Sequence, residues 1–165
     1  MPPIEAQIAA LLSPLTTLRH EIHRHPELGF EEHETQRRVM EYLRDLGFDP
    51  KPCATTGVIA DLNPGRSGRS LALRADMDCL PMQADTDLPY RSVHDGRAHK
   101  CGHDGHTVSL LGAASILAGM RERVDGNVRL IFQPAEEGVN GDDANGDDGR
   151  RCWWLRRREC WRPCM

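Results

Sequence analysis

Eight consecutive residues, His99-Lys-Cys-Gly-His-Asp-Gly-His106, hold three histidines, one cysteine and one aspartate punctuated by glycine. In a core segment each of these polar groups would need its own partner, so the composition is costly there. Together they are the ligand types of a borderline cation. Cys101 and His103 stand two apart, so in an extended or turn backbone their side chains leave on the same side, within reach of one ion. Gly102 and Gly105 remove Cβ where the backbone passes close to the site or bends sharply. A lone cysteine is ordinarily a packing residue; the clustering turns the reading towards a metal site.

Other residues could join this chemistry. Asp76 and Asp78 lie two apart at the end of the run Ser70–Ala75, where α/β sheets usually keep their chemistry, and suit either a ligand role or a supporting one behind the ligands. Glu136 and Glu137 follow the apolar run Val128–Phe132. Adjacent side chains in an extended or turn backbone point in different directions, so one glutamate can bind metal while the other faces the water. His20, His23 and His25 gather at a helix C-terminus, where imidazoles beside the negative dipole end need no ligand role.

The elements that must position these groups follow from periodicity. Ile4, Ile8, Leu11, Leu15, Leu18 and Ile22 mark a helix over 4–24, bent or restarted near Pro14 and ended by His25-Pro26. Glu27 to Glu32 reads as a turn or loop, and a second helix runs from about Glu34 through Val39, Leu43 and Leu46 to a Gly47 cap. Strands are expected at Gly57–Leu62 and Ser70–Ala75, as a hairpin-like pair across the turn-rich Asn63–Gly68. Val108, Leu111, Ala114 and Leu117 predict a buried helix over 107–122, with the ligands just before it or in its first turn, and Val128–Phe132 predicts a buried strand. The pattern is α/β.

The chain of 165 residues is long enough for one domain, and its net charge of -4 gives no electrostatic case for nucleic acid or an anionic membrane. No apolar run approaches the ~18 residues of a spanning helix, and Met-Pro-Pro-Ile-Glu lacks the pattern of a signal peptide, so the expected location is cytoplasmic. Six irregularly spaced cysteines read as ligand or inert thiol rather than as a disulfide framework.

Four stretches, in this order, resemble the amidohydrolase branch of the M20 metallopeptidase family: Leu18–Glu32, Arg74–Pro81, His99–His106 and Phe132–Gly138. That branch includes hippurate hydrolases, N-acyl-amino-acid deacylases and plant auxin-conjugate hydrolases. The resemblance implies that Cys101, His103 and Glu137 are metal ligands, that Glu136 is the general base, and that Asp78 belongs to the catalytic set, in the stretch supporting the metal. It implies a divalent cation (zinc, manganese, cobalt or nickel), a two-metal site in full-length members, and small N-acyl amino acids as substrates. The implied fold is the N-terminal part of a three-layer αβα metallohydrolase catalytic domain with an incomplete sheet, lacking the family's dimer domain. Lys100 and Cys79 stand where smaller residues are more usual.

Nothing after Gly141 matches. Residues 1–141 are therefore expected to form the family-like part and 142–165 an unrelated, disordered tail, of the composition a frameshift or truncation would give. No histidine follows His106 to supply the two further ligands the resemblance implies. The chain alone is accordingly expected to be a weak or inactive hydrolase, the alternative being a non-catalytic remnant with weak metal or partner binding.

Overall fold

The computed structural model describes residues 2–137, in which the apolar periodicities become three helices and a four-stranded mixed sheet. The helices are α1 (Ile4–Arg24), α2 (His33–Asp45) and α3 (His103–Gly119); the strands are β1 (Lys51–Cys53), β2 (Gly57–Leu62), β3 (Ser70–Asp76) and β4 (Asn127–Gln133). The expected boundary at Gly141 and the tail 142–165 lie outside the described residues.

Helix α1 runs as one element through Pro14 instead of restarting there. Both Pro14 and Ala10 are exposed, so water can take the carbonyl that the missing N–H leaves free. It ends where His25 donates its N–H to the carbonyls of Glu21 and Ile22, immediately before Pro26. Helix α2 closes on a left-handed Gly47, with Phe48 N–H bonded to Leu43 O at 3.0 Å and Gly47 N–H to Arg44 O at 2.9 Å. This double bond pattern satisfies the last carbonyls, and no other residue type adopts it as cheaply.

The strand order is β1-β2-β4-β3, with β2 antiparallel to β4 and β3 parallel to it. The hairpin expected of β2 and β3 is therefore corrected, because β4 lies between them. Two causes act together. Asn63–Gly68 is not a two-residue turn that would lock a register, and the most apolar strand takes the position where neighbours cover it on both edges. Val128, Leu130, Ile131 and Phe132 are all buried there.

Helices α2 and α3 pack on the sheet and on each other, and α1 packs on α3. Val39 and Leu43 of α2, Leu110, Leu111 and Ala114 of α3, and Val58, Ala60, Leu62, Leu130 and Phe132 of the sheet form one core. Ile131 faces the other way, against Cys53 and Ala54. Cys79 and Cys101 are free thiols. No described helix is long and apolar enough to cross a membrane.

Candidate metal and active site

The parallel pair β3–β4 carries the acids to one end of the sheet. Asp76 pairs with Gln133 at the last register position, so the chain after β3 (Asp78) and the chain after β4 (Glu136, Glu137) emerge side by side. The third contributor is α3. It starts at His103, four residues earlier than the periodicity predicts, because Gly102 serves as its N-cap in a left-handed conformation with φ of 93°. A Cβ at Gly102 would meet nothing within 4 Å, so glycine is needed there for the torsion and not for space. That bend turns Cys101 back towards the first turn of the helix. Gly105 sits inside α3 with ordinary room around it, and makes no such demand.

One donor atom each from Cys101, His103 and Glu137 converge, all within 4.8 Å of one another. His103 is buried, and its Nδ1 lies 3.0 Å from the Asp78 carbonyl and 3.1 Å from Asp78 Oδ1. A carbonyl only accepts, so Nδ1 carries the proton and Nε2 keeps the lone pair. Nε2 faces Glu137 Oε1 at 3.7 Å and Glu136 Oε2 at 3.8 Å. The other oxygen of Asp78 accepts the Glu137 N–H at 2.9 Å. Asp78 thus uses one oxygen on each of two candidate ligand residues, itself fully enclosed, and touches no open space where a substrate could sit.

The electrostatics match this layout. Burial works against charge on His103, but the hydrogen bond and charge of Asp78 outweigh it and raise its pKa. The hydrogen bond with Glu137, then burial and the surrounding carboxylates, push the Cys101 thiol up to about 11. Burial, with the charges of Asp76 and Glu137, also raises the Glu136 carboxyl. Carboxylates aimed at one point repel one another, as would a thiolate at Cys101, and a divalent cation is the group that offsets them. One soft, one borderline and one hard donor suit zinc, cobalt, nickel or manganese, so the residues fit such an ion.

His103 also belongs to a second donor group with Asp76 and His106. Here Asp76 is already held by Arg74 at 2.7 Å and the His106 side chain is 53% exposed. The three histidines of α1's end take ordinary roles: His23 Nδ1 pairs with the buried Asp104 at 2.9 Å, His20 stacks on Tyr90, and His25 meets His94 edge-on.

Residues 72–150 match the model of the M20/M25/M40 peptidase family. The chain is 44% identical over 144 residues to a hippurate hydrolase of Campylobacter jejuni, a match covering 87% of this chain and 37% of that protein. It is 42% identical to an N-acetyl-L-cysteine deacetylase of Bacillus subtilis, covering 87% of this chain and 35% of that one. Its fold superimposes on a dinuclear metal-binding M20 peptidase of Bacillus subtilis with a TM-score of 0.74 at 42% identity, over 78% of this chain and 36% of that one. The chain belongs to the M20 peptidase family. It spans about a third of the length of these relatives.

In this M20 chain some residues of the recognised stretches take structural roles that the sequence did not announce. Glu27 and Glu32 lie in a stretch that reads as a turn, where acids are normally solvated, yet Glu32 is fully buried. Asp104 stands inside the cluster but bonds away from it, to Arg19 Nε at 3.0 Å and to His23, and so locks α1 onto the first turn of α3.

Proposed function

We propose that this chain carries part of the site of a metal-dependent amidohydrolase acting on N-acyl amino acids. The observation that carries the reading is the convergence of Cys101, His103 and Glu137 within 4.8 Å, with the half-exposed Glu136 beside the free nitrogen of His103. Cys101, His103 and Glu137 would hold the ion. A divalent cation in such a site supplies positive charge that polarises an amide carbonyl and makes water acidic enough to be deprotonated near neutral pH. Glu136, its carboxyl raised by burial, is poised to accept a proton from water on the open side and return it to the leaving nitrogen. The water oxygen joins the carbonyl carbon, the C–N bond breaks, and a carboxylic acid and an amine result. Asp78 holds His103 in the tautomer that binds and fixes the backbone of Glu137. The N-acyl amino acid class is supported by the named activities of the hippurate hydrolase and N-acetyl-L-cysteine deacetylase relatives.

The test is release of glycine from benzoyl-glycine with added zinc, manganese, cobalt or nickel. Any turnover, expected to be weak from part of a site, should fall about 10²–10⁴-fold in Glu136→Gln with metal retained. Metal bound without turnover favours the second reading, a non-catalytic metal-binding module, for which the exposure of Cys101 speaks.

A further inference from the structure

The Pro26–Glu32 segment makes no contact that the function above uses, yet both ends of it grip the two chain segments that build the site. At one end the Glu27 carbonyl accepts the N–H of Cys79, at 2.8 Å, directly after Asp78. At the other the Glu32 carboxylate accepts the N–H of Ala135, at 2.8 Å, directly before Glu136. The same carboxylate bonds the Thr56 hydroxyl in the turn between β1 and β2. Glu27 uses its own carboxylate to cap α2, accepting the N–H groups of Glu34 and Thr35 and the Thr35 hydroxyl. The segment is therefore itself anchored to a helix.

Ala135 is the point at which this matters. Its φ is 51°, in the left-handed region that a residue with a Cβ adopts only when its surroundings hold it there. Behind it Pro134 packs so tightly on Gly57 that a Cβ on Gly57 would lie 2.8 Å from its ring. The left-handed step turns the chain after β4, and the next two residues are Glu136 and Glu137. A buried acid is an expensive way to satisfy one amide, since a hydroxyl or a carbonyl would serve. Two donors from separate loops make sense of it: a carboxyl offers two oxygens on one rigid fork.

We propose that Glu32 is a positioning residue of the candidate site, its buried carboxyl holding the Ala135 amide so that the left-handed turn directs Glu136 and Glu137 towards His103. The part concerning the ion rests on the metal reading above; the part concerning the turn does not. Glutamine keeps an oxygen for the Ala135 N–H and an amide for the Thr56 hydroxyl, whereas alanine leaves both unsatisfied in a buried pocket.

The experiment compares the full chain with Glu32→Gln, Glu32→Ala and a control, Val39→Ala, which opens a cavity in the core without touching the turn. Two quantities are read: hydrogen exchange of the Ala135 amide without metal, and cobalt(II) affinity from its thiolate absorption. Glu32→Ala is expected to speed exchange at Ala135 at least tenfold and to weaken cobalt about 10–100-fold, as loss of a group supporting the ligands does. Glu32→Gln is expected to stay close to the parent in both, and Val39→Ala to lower the melting temperature with both readouts kept. Unchanged exchange at Ala135 in Glu32→Ala overturns the proposal, and so does an equal loss in the Val39→Ala control. If Glu32→Ala does not fold, Thr56→Val removes one of the two donors orienting the carboxyl; faster exchange at Ala135 supports the clamp and unchanged exchange overturns it. Absence of cobalt binding by the parent chain would sink the metal reading alone, because the exchange comparison still decides the clamp.

Discussion

Glu32 shows how one residue can escape sequence reading and still mark itself by titration. Burial raises its carboxyl to about 7, even though the Thr56 and Ala135 hydrogen bonds oppose the shift. In the unfolded chain it titrates at an ordinary 4.5, so between 4.5 and about 7 the folded chain holds a proton that the unfolded chain has lost. Its contribution to stability is fully present below 4.5 and is lost as pH rises to about 7, a swing of roughly 3 kcal/mol at ~1.4 kcal/mol per pH unit. Denaturant unfolding across that range should show parent stability falling relative to Glu32→Gln as pH rises; two parallel profiles would mean Glu32 titrates normally. Cys101 and His103 stood out because ligand types crowded together are rare for any other reason, whereas Glu136 and Glu137, a pair that is usually a solvated turn, stood out only by following a buried strand and through the family resemblance. Glu32 did not, because an acid in a turn-rich stretch is usually solvated and nothing local reveals that Thr56 and Ala135 close over it.

At the scale of elements, the start of α3 determines whether the candidate ligands Cys101 and His103 meet. The apolar stripe of α3 predicted the helix body, but polar residues and two glycines hid its true start at His103. The left-handed Gly102 sets that start, and through it the angle between Cys101 and His103. Gly102→Ala forces a Cβ into that torsion at a cost of roughly 1–2 kcal/mol, with no clash to relieve. The expected outcome is a modest drop in melting temperature with a larger loss of cobalt affinity; full affinity would mean the bend is not what joins the two ligands. The strand pairing was the least legible feature. β2 and β3 follow one another in sequence, and only the need to cover β4 on both edges, a non-local demand, separates them.

At the scale of the whole molecule, helices α2 and α3 cover one sheet face closely, while among the described residues β3 is bonded on a single edge and Leu71 is 57% exposed. An apolar edge strand invites pairing with another chain. Leu71→Lys should therefore reduce concentration-dependent association, read by light scattering, without lowering the melting temperature; unchanged association would show that the edge is not the adhesive surface. The α/β class followed from periodicity, and the resemblance to M20 enzymes from four short stretches that are specific when taken together and in order. What holds those stretches together is long-range: the parallel register of β3 and β4, and Asp78 reaching both His103 and Glu137. The central claim is that Cys101, His103 and Glu137 hold one divalent ion. Titration of the full chain with cobalt(II), followed by its near-ultraviolet thiolate absorption, tests it most directly. A saturable band, lost in Cys101→Ala and weakened in His103→Ala and Glu137→Gln, is the expected result; no band in the parent, or an undiminished band in Cys101→Ala, would contradict it.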